Sequence, residues 1–198
     1  MEICGIDEAG RGPIAGPLVV AGCIFKFQVP SSEFQVTDPE LYKWFNMLTD
    51  SKKLSAKKRE ELFEIIKENS FYHIVFIDNK TIDKKGLSFT IKSALLEIKN
   101  TLSAKKYLFD GNSNFGVEGI ETIIKGDAKI KEISAASILA KVSRDKYMIE
   151  IADKYPMYNF KKHKGYITKE HIEEIKKYGF SEIHRKSYKL KALEPTLF

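Results

Sequence analysis

Cys4-Gly5-Ile6-Asp7-Glu8-Ala9-Gly10-Arg11-Gly12-Pro13 places two adjacent carboxylates at the end of an apolar segment and runs them straight into Gly-Arg-Gly. Acids that could hold a metal stand beside a backbone that could hold a phosphate. On a regular strand neighbouring side chains point to opposite faces, so Asp7 and Glu8 can serve one site only where the chain bends or ends. Gly10 and Gly12 allow such an ending, because glycine tolerates positive φ and lets another backbone come close. Alone, the stretch reads equally as an edge-strand end followed by a solvated turn.

Outward from it, Pro17 to Phe27 forms a second and more continuously apolar strand, and the short Gly/Pro connection favours an antiparallel pair. Phe71 to Ile77 reads as a third strand, Lys106 to Asp110 as a fourth, and Ile120 to Ile124 as a fifth, closed by Lys125-Gly126-Asp127. Ser55 caps a helix to about Asn69, with Leu62, Ile65 and Ile66 on one face. A second helix, about Ser88 to Leu102, keeps Ile91, Ala94, Leu95, Ile98 and Leu102 at helical spacing. The longest, about Glu132 to Lys154, carries Ala135, Ala136, Ser137 and Ala140, small enough to pack closely on a sheet, and Pro156 ends it. One further helix lies near Lys169 to Tyr178. Residues 28 to 50 have mixed character and no element is assigned there: Pro30, Ser31, Ser32 and Pro39 mark a loop, and Phe34, Tyr42, Trp44 and Phe45 pack it down. This order of elements specifies an α/β fold, a mixed sheet with helices on its faces.

The 198 residues, 43% hydrophobic and 30% charged, suffice for one well-buried core with a tail. A net charge of +6 suits a polyanionic partner, although a lysine-rich proteome produces the same value. From Lys161 onward ten Lys/Arg face five Asp/Glu, so most of that charge sits in a basic, tyrosine-bearing tail. Such a tail can hold a duplex through phosphate contacts that weaken with salt; a solvated terminal helix is the alternative. No apolar run approaches the ~20 residues of a membrane span, and charged Glu2 and Asp7 stand where a signal peptide has its apolar core. A soluble cytoplasmic protein, acting as a monomer without a membrane partner, is expected. Cys4 and Cys23 are too few for a disulfide framework and read as buried thiols in neighbouring strands.

Asp110 and Asp127 each terminate a predicted buried strand, and open α/β sheets gather their sites at the carboxyl ends of strands. If those strands neighbour the one carrying Asp7, four carboxylates converge with Glu8. Such a cluster repels itself unless cations fill it, and hard oxygen ligands select Mg²⁺ or Mn²⁺ over zinc. Two such ions about 4 Å apart can activate a water and steady a leaving oxygen in phosphodiester cleavage. Each acid also has a plainer reading: Asp127 as a solvated turn or cap residue, and Asp110 in Asp-Gly-Asn as turn chemistry. His73 packs within a strand, while His163, His171 and His184 lack zinc-site spacing and read as substrate contacts or packing. No Gly-x-Ser-x-Gly elbow supports a serine hydrolase.

The quoted opening, Asp50-Ser51-Lys52-Lys53-Leu54-Ser55, Asp110-Gly111-Asn112, Lys125-Gly126-Asp127 and Ala135 through Asp145 resemble the signature blocks of ribonuclease HII, as do Lys162 through Tyr166 and Ile183 through Ser187. They occur in family order over nearly the whole chain. The resemblance implies a ribonuclease H-like fold with a mixed five-stranded sheet flanked by helices. Residues 1–198 would form one catalytic domain, with residues 155–198 as its helical, basic, substrate-binding extension. It also implies cutting of RNA in RNA/DNA hybrids and 5′ of single ribonucleotides embedded in duplex DNA, a ribonucleotide excision repair activity that uses Mn²⁺ or Mg²⁺. Position by position, the family's metal-binding and catalytic acids fall on Asp7, Glu8, Asp110 and Asp127. Its backbone readers of the ribonucleotide fall on Gly10, Arg11 and Gly12, and its junction-sensing tyrosine on Tyr166. Lys52 and Lys53 are expected on the nucleic-acid backbone, with Lys141 and Arg144 as further candidates whose default is a solvated helix face. Arg11 would otherwise be a surface ion pair, and Tyr166 a half-buried packing residue.

The chain departs from the family at Lys85-Gly86-Leu87-Ser88-Phe89-Thr90 and at Tyr155 through Phe160, which bears on local packing and leaves the acids untouched. Ribonuclease HIII, a rival, has Gly-Thr-Gly where this chain has Gly10-Arg11-Gly12. A non-catalytic nucleic-acid-binding module is the rival from another class; it has no use for four acids near phosphates. The closing Leu193 through Phe198 leaves a docking tail and a folded-back terminus both open.

Overall fold

Strand β1 (Ile3–Ala9) lies at the centre of the sheet, and its alternation sorts the whole core. The computed structural model describes residues 2–27, 39–48 and 54–190, so Lys52, Lys53, Phe34, the side chain of Tyr42 and the closing Leu193–Phe198 lie outside the described residues. β1 pairs antiparallel with β2 (Leu18–Phe25), which pairs antiparallel with β3 (Ser70–Ile77). On its other side β1 runs parallel to β4 (Lys106–Asp110), and β4 parallel to β5 (Ile120–Ile123). The order β3-β2-β1-β4-β5 is the mixed five-stranded sheet expected of the sequence. β2 is buried at every position because helices cover both of its faces.

On one face, Cys4 and Ile6 of β1 and Leu18, Val20 and Ile24 of β2 meet Ile91, Ala94, Leu95 and Ile98 of helix α4 (Leu87–Thr101) and Ile82 of α3 (Asn79–Lys85). On the other, Val19, Ala21, Cys23 and Phe25 meet α2 (Ala56–Asn69) through Leu62, Phe63 and Ile66, and α5 (Lys131–Ile151) through its small residues. Helix α1 (Pro39–Met47) adds Trp44 and Phe45, whose rings lie against Phe25 and Phe27. Cys4 and Cys23 are indeed buried on adjacent strands, one on each face, and burial pushes the Cys4 thiol up to about 12.

A third cluster joins Ile14 and Ala15 to Met148 of α5, to Tyr158, to Phe160 of α6 (Phe160–His163), to Ile175 of α7 (Lys169–Tyr178) and to Ile183. A β-bridge between Ala15 and His184 ties the chain after residue 155 to the loop that follows β1. No helix among the described residues is long and apolar enough to cross a membrane.

Most expected elements stand within a residue or two. Ser55 caps α2 by accepting the Lys58 N–H at 3.2 Å, and Thr168 caps α7 by accepting that of His171 at 3.1 Å. Three differences have local causes. α3 is only one long cap: the Asp78 carboxylate accepts the Thr81 N–H at 2.6 Å and Gly86, at φ 79°, ends it, leaving too few residues to display a period. α1 forms within the stretch of mixed character, where the sequence assigns no element, because aromatic burial against β2 holds it. α5 ends at Ile151, and a 3₁₀ turn, Ala152–Lys154, continues it to the expected point.

Gly5 decides how closely α5 approaches. A β-carbon there would overlap the backbone of Glu132 and Ile133, so helix and strand touch main chain to main chain. We therefore expect Gly5→Ala to lower unfolding free energy in urea by about 3 kcal/mol or more, because backbone cannot yield as a side-chain tip can. Gly12→Ala, where the added carbon meets nothing within 4 Å, should stay within about 0.5 kcal/mol. Equal effects would contradict this account of the helix seat.

Candidate active site

Asp7 and Asp110 lie on adjacent parallel strands whose register pairs Ile6 with Phe109, so the next residue of each strand brings the two acids side by side on the α5 face. Asp127 arrives differently from the sequence expectation. β5 ends at Ile123, and Asp127 sits in a 3₁₀ turn, Gly126–Ala128, that leads into α5. Lys125, in the left-handed region at φ 55°, reverses the chain there, and the Gly126 N–H donates to Asp110 Oδ1 at 2.8 Å. One carboxylate oxygen from each of Asp7, Asp110 and Asp127 lies within 4.8 Å of the others.

Burial, and then the charges of Glu8 and Asp110, push the Asp7 carboxyl well above the usual carboxylate range, against hydrogen bonds from the Ser137 hydroxyl and the Glu8 N–H. Three hard oxygen donors converging around an acid that resists ionisation fit a divalent cation of the Mg²⁺ or Mn²⁺ type, whose charge would relieve the repulsion.

Glu8 follows the strand's period and leaves Asp7 on the opposite side. Its Oε1 lies 2.9 Å from Arg11 Nε, and its carboxylate is not among the converging three. Both acids nevertheless border one cleft of about 260 Å³, because the strand stops just beyond them. Gly10, Arg11 and Gly12, Asp110, Ser137 and Lys141 of α5, and Tyr166 line it as well. Arg11 also lies over the Phe115 ring, 5.5 Å from its centroid. Tyr166 is 38% exposed, with Lys141 Nζ 5.3 Å from its ring centre. The structure thus gathers Asp7, Glu8, Gly10, Arg11, Gly12, Asp110 and Tyr166 at one cleft with Asp127 beside it, while Lys52 and Lys53 lie outside the described residues.

Ser137 was read in the sequence only as a small packing residue. A signal existed: Ser137, Lys141 and Arg144 sit at i, i+4 and i+7, a polar stripe on a helix otherwise made for packing. Arg144 is neither on a solvated face nor at the cleft surface. It is fully buried, donating to the carbonyls of Pro17 at 2.9 Å, Ala15 at 3.1 Å and Lys164 at 3.0 Å. Gly10, at φ 98°, passes directly over it, and a β-carbon there would overlap the guanidinium.

The three distant histidines meet behind Tyr166. His171 Nδ1 donates to the Tyr166 carbonyl at 2.9 Å, and its Nε2 faces His184 Nε2 at 3.0 Å. His184 Nδ1 accepts from the Ser181 N–H at 2.9 Å, which puts its own proton on Nε2 and leaves His171 Nε2 as acceptor. Both rings are therefore neutral, and burial pulls them down to about 4 and about 3 respectively. His163, His171 and Glu174 also lie close enough to share an ion. Yet His163 accepts from the Gly165 N–H and faces Glu174 at 3.0 Å, so every ring nitrogen of the group already has a protein partner. Packing, one of the two sequence readings, accounts for them.

A family model described as Ribonuclease HII matches residues 4–191. A protein from Aliarcobacter butzleri named Ribonuclease HII is 55% identical over 97% of this chain and 93% of its own length. Its namesake from Sulfurovum sp. is 51% identical over 99% of this chain and 96% of its own. Among solved structures, a chain from the PCNA:RNase HII complex of Archaeoglobus fulgidus superposes with a TM-score of 0.76 at 26% identity, covering 100% of this chain and 98% of that one.

Because the folded-state pKa of Asp7 is raised, the native protein holds a proton there that the unfolded chain has lost, and its stability falls as pH rises through that pKa. Asp7→Asn keeps the shape without the charge. In metal-free buffer at pH 8 it should raise Tm by about 2–4 °C, with a smaller gain as pH falls toward the ordinary carboxylate range. A gain independent of pH, or a loss at pH 8, would contradict the account of the cluster.

Proposed function

The chain belongs to the ribonuclease HII family, and on that footing we propose that it is an endonuclease that hydrolyses the RNA strand of RNA/DNA hybrids and cuts 5′ of single ribonucleotides embedded in duplex DNA. The observation that carries this reading is the convergence of Asp7, Asp110 and Asp127 within 4.8 Å beside a cleft walled by Gly10–Gly12 and Tyr166.

In this reading Asp7, Asp110 and Asp127, with Glu8 at the rim, hold two Mg²⁺ or Mn²⁺ ions. When bound, the ions supply activation of the attacking water and neutralisation of charge on the leaving oxygen. The water oxygen bonds to the phosphorus on the 5′ side of the ribonucleotide as the bond from phosphorus to the preceding O3′ breaks. The water gives up a proton as it bonds and O3′ takes one up to become a 3′-hydroxyl, so none is gained or lost overall, and the ribonucleotide keeps a 5′-phosphate. Arg11, paired with Glu8 in the free protein, can exchange that carboxylate for a substrate phosphate, a planar donor set suited to either.

A 2′-hydroxyl is what separates a ribonucleotide from its neighbours, so close backbone contacts are a sensible reader, and Gly12, where a β-carbon would meet nothing within 4 Å, leaves room for them. Tyr166 lines the cleft and is partly exposed, and in this reading its ring stacks on the sugar of the next deoxynucleotide. Lys52, Lys53 and the basic segment 155–198 hold flanking phosphates as part of one 1–198 domain. The protein works as a cytoplasmic monomer in ribonucleotide excision repair.

Incubation with Mg²⁺ or Mn²⁺ and a DNA duplex containing one ribonucleotide should give a single cut 5′ of it with 3′-hydroxyl and 5′-phosphate ends. Asp7→Asn should lower the rate at least about 100-fold. No cutting in either metal, or undiminished cutting by Asp7→Asn, would overturn the proposal. Tyr166→Ala should lose cleavage of the single-ribonucleotide duplex far more than binding of it; equal losses would make Tyr166 a packing residue.

A further inference from the structure

The loop that carries Gly10-Arg11-Gly12 is held from behind by a second buried cation. Arg185 is fully buried, yet no carboxylate forms an ion pair with it among the described residues. Its Nε donates to the Gly16 carbonyl at 3.0 Å, and its Nη1 to the Arg11 carbonyl at 3.1 Å and to Tyr188 Oη at 3.0 Å. The Tyr188 hydroxyl in turn donates to the same Arg11 carbonyl at 2.7 Å. Two donors therefore converge on one backbone oxygen at the cleft wall, both from a segment more than 170 residues further along the chain.

The consequence follows from peptide geometry. In a planar trans peptide the carbonyl and the next N–H point in opposite directions. Turning the Arg11 carbonyl inward onto a buried guanidinium turns the Gly12 N–H outward. Gly12 borders the cleft, a β-carbon on it would meet nothing, and no acceptor among the described residues takes its N–H. Pro13, next in the chain, has no N–H to offer, so Gly12 provides the outward donor at this point of the wall. The Nη2 of Arg185 is buried without a hydrogen-bond partner, and Asp83, whose charge acts on the guanidinium, forms no ion pair with it among the described residues, so positive charge beneath the loop favours an oxygen-rich, anionic ligand above it.

We propose that Arg185 and Tyr188 are positioning residues: they clamp the Arg11 carbonyl and thereby aim the Gly12 N–H at a sugar or phosphate oxygen of the substrate strand. The inference rests on the nuclease reading for the ligand's identity and on the geometry alone for the clamp.

Tyr188→Phe deletes one donor and keeps the ring that covers the Arg185 guanidinium, and Arg185→Lys keeps the charge while losing the fork. Tyr188→Phe should raise KM for a single-ribonucleotide duplex about three- to tenfold, the worth of one neutral hydrogen bond, with kcat within about twofold. In the free protein it should also shift the amide resonance of Gly12, the residue that follows the clamped carbonyl. Arg185→Lys should move both readouts in the same direction and further. An unmoved Gly12 resonance, or a fall in kcat and Tm with KM unchanged, overturns the clamp. If the unmodified protein cuts nothing, the nuclease reading fails by itself, and the Gly12 resonance still decides whether the clamp exists.

Discussion

The contact on which the rest depends is the main-chain approach of α5 to β1 at Gly5. Because the helix can settle that deeply, Ser137 reaches the Asp7 carboxyl and the turn before the helix delivers Asp127 to the ends of β1 and β4. Ala135, Ala136 and Ala140 carry the same closeness along β1 and β2. Asp127 joins Asp7 and Asp110, which the register of β1 and β4 already sets side by side, because α5 lies against β1 main chain to main chain at Gly5.

That convergence is destabilising in the free protein. Asp7 is buried among like charges, and burial also opposes Arg144, which it pulls down to about 10. Both groups are what a charged ligand would use: an anionic floor for cations, and cationic supports under a loop whose carbonyls at Arg11, Ala15, Gly16 and Pro17 are all turned inward. At Arg11 the carbonyl drawn to a buried guanidinium turns the Gly12 N–H the other way, so the acids and the Gly10–Gly12 backbone line one cleft within a few residues of chain.

The segment after residue 155 takes part in that division. It closes the third apolar cluster, brackets residues 14–16 with Ile183 and Arg185, and uses a chain of neutral histidines to hold the Tyr166 carbonyl. Its basic surface was visible as composition; its role in supporting the cleft from behind was not.

Sequence alone determined what local chemistry encodes. β4 and α7 lie where the sequence puts them, and Asp7 and Asp110, acids near the ends of apolar strands, border the cleft. The family likeness extended this to the right sheet. Only the tertiary structure decided that Asp127 comes from a 3₁₀ turn, that Glu8 faces Arg11 while its neighbour joins the cluster, that Arg144 is buried, and that three scattered histidines meet. The reason is physical. Periodicity and caps act within about ten residues, whereas the direction taken by a side chain at a strand end, or the burial of a cation, depends on which distant carbonyls and charges the fold brings to it.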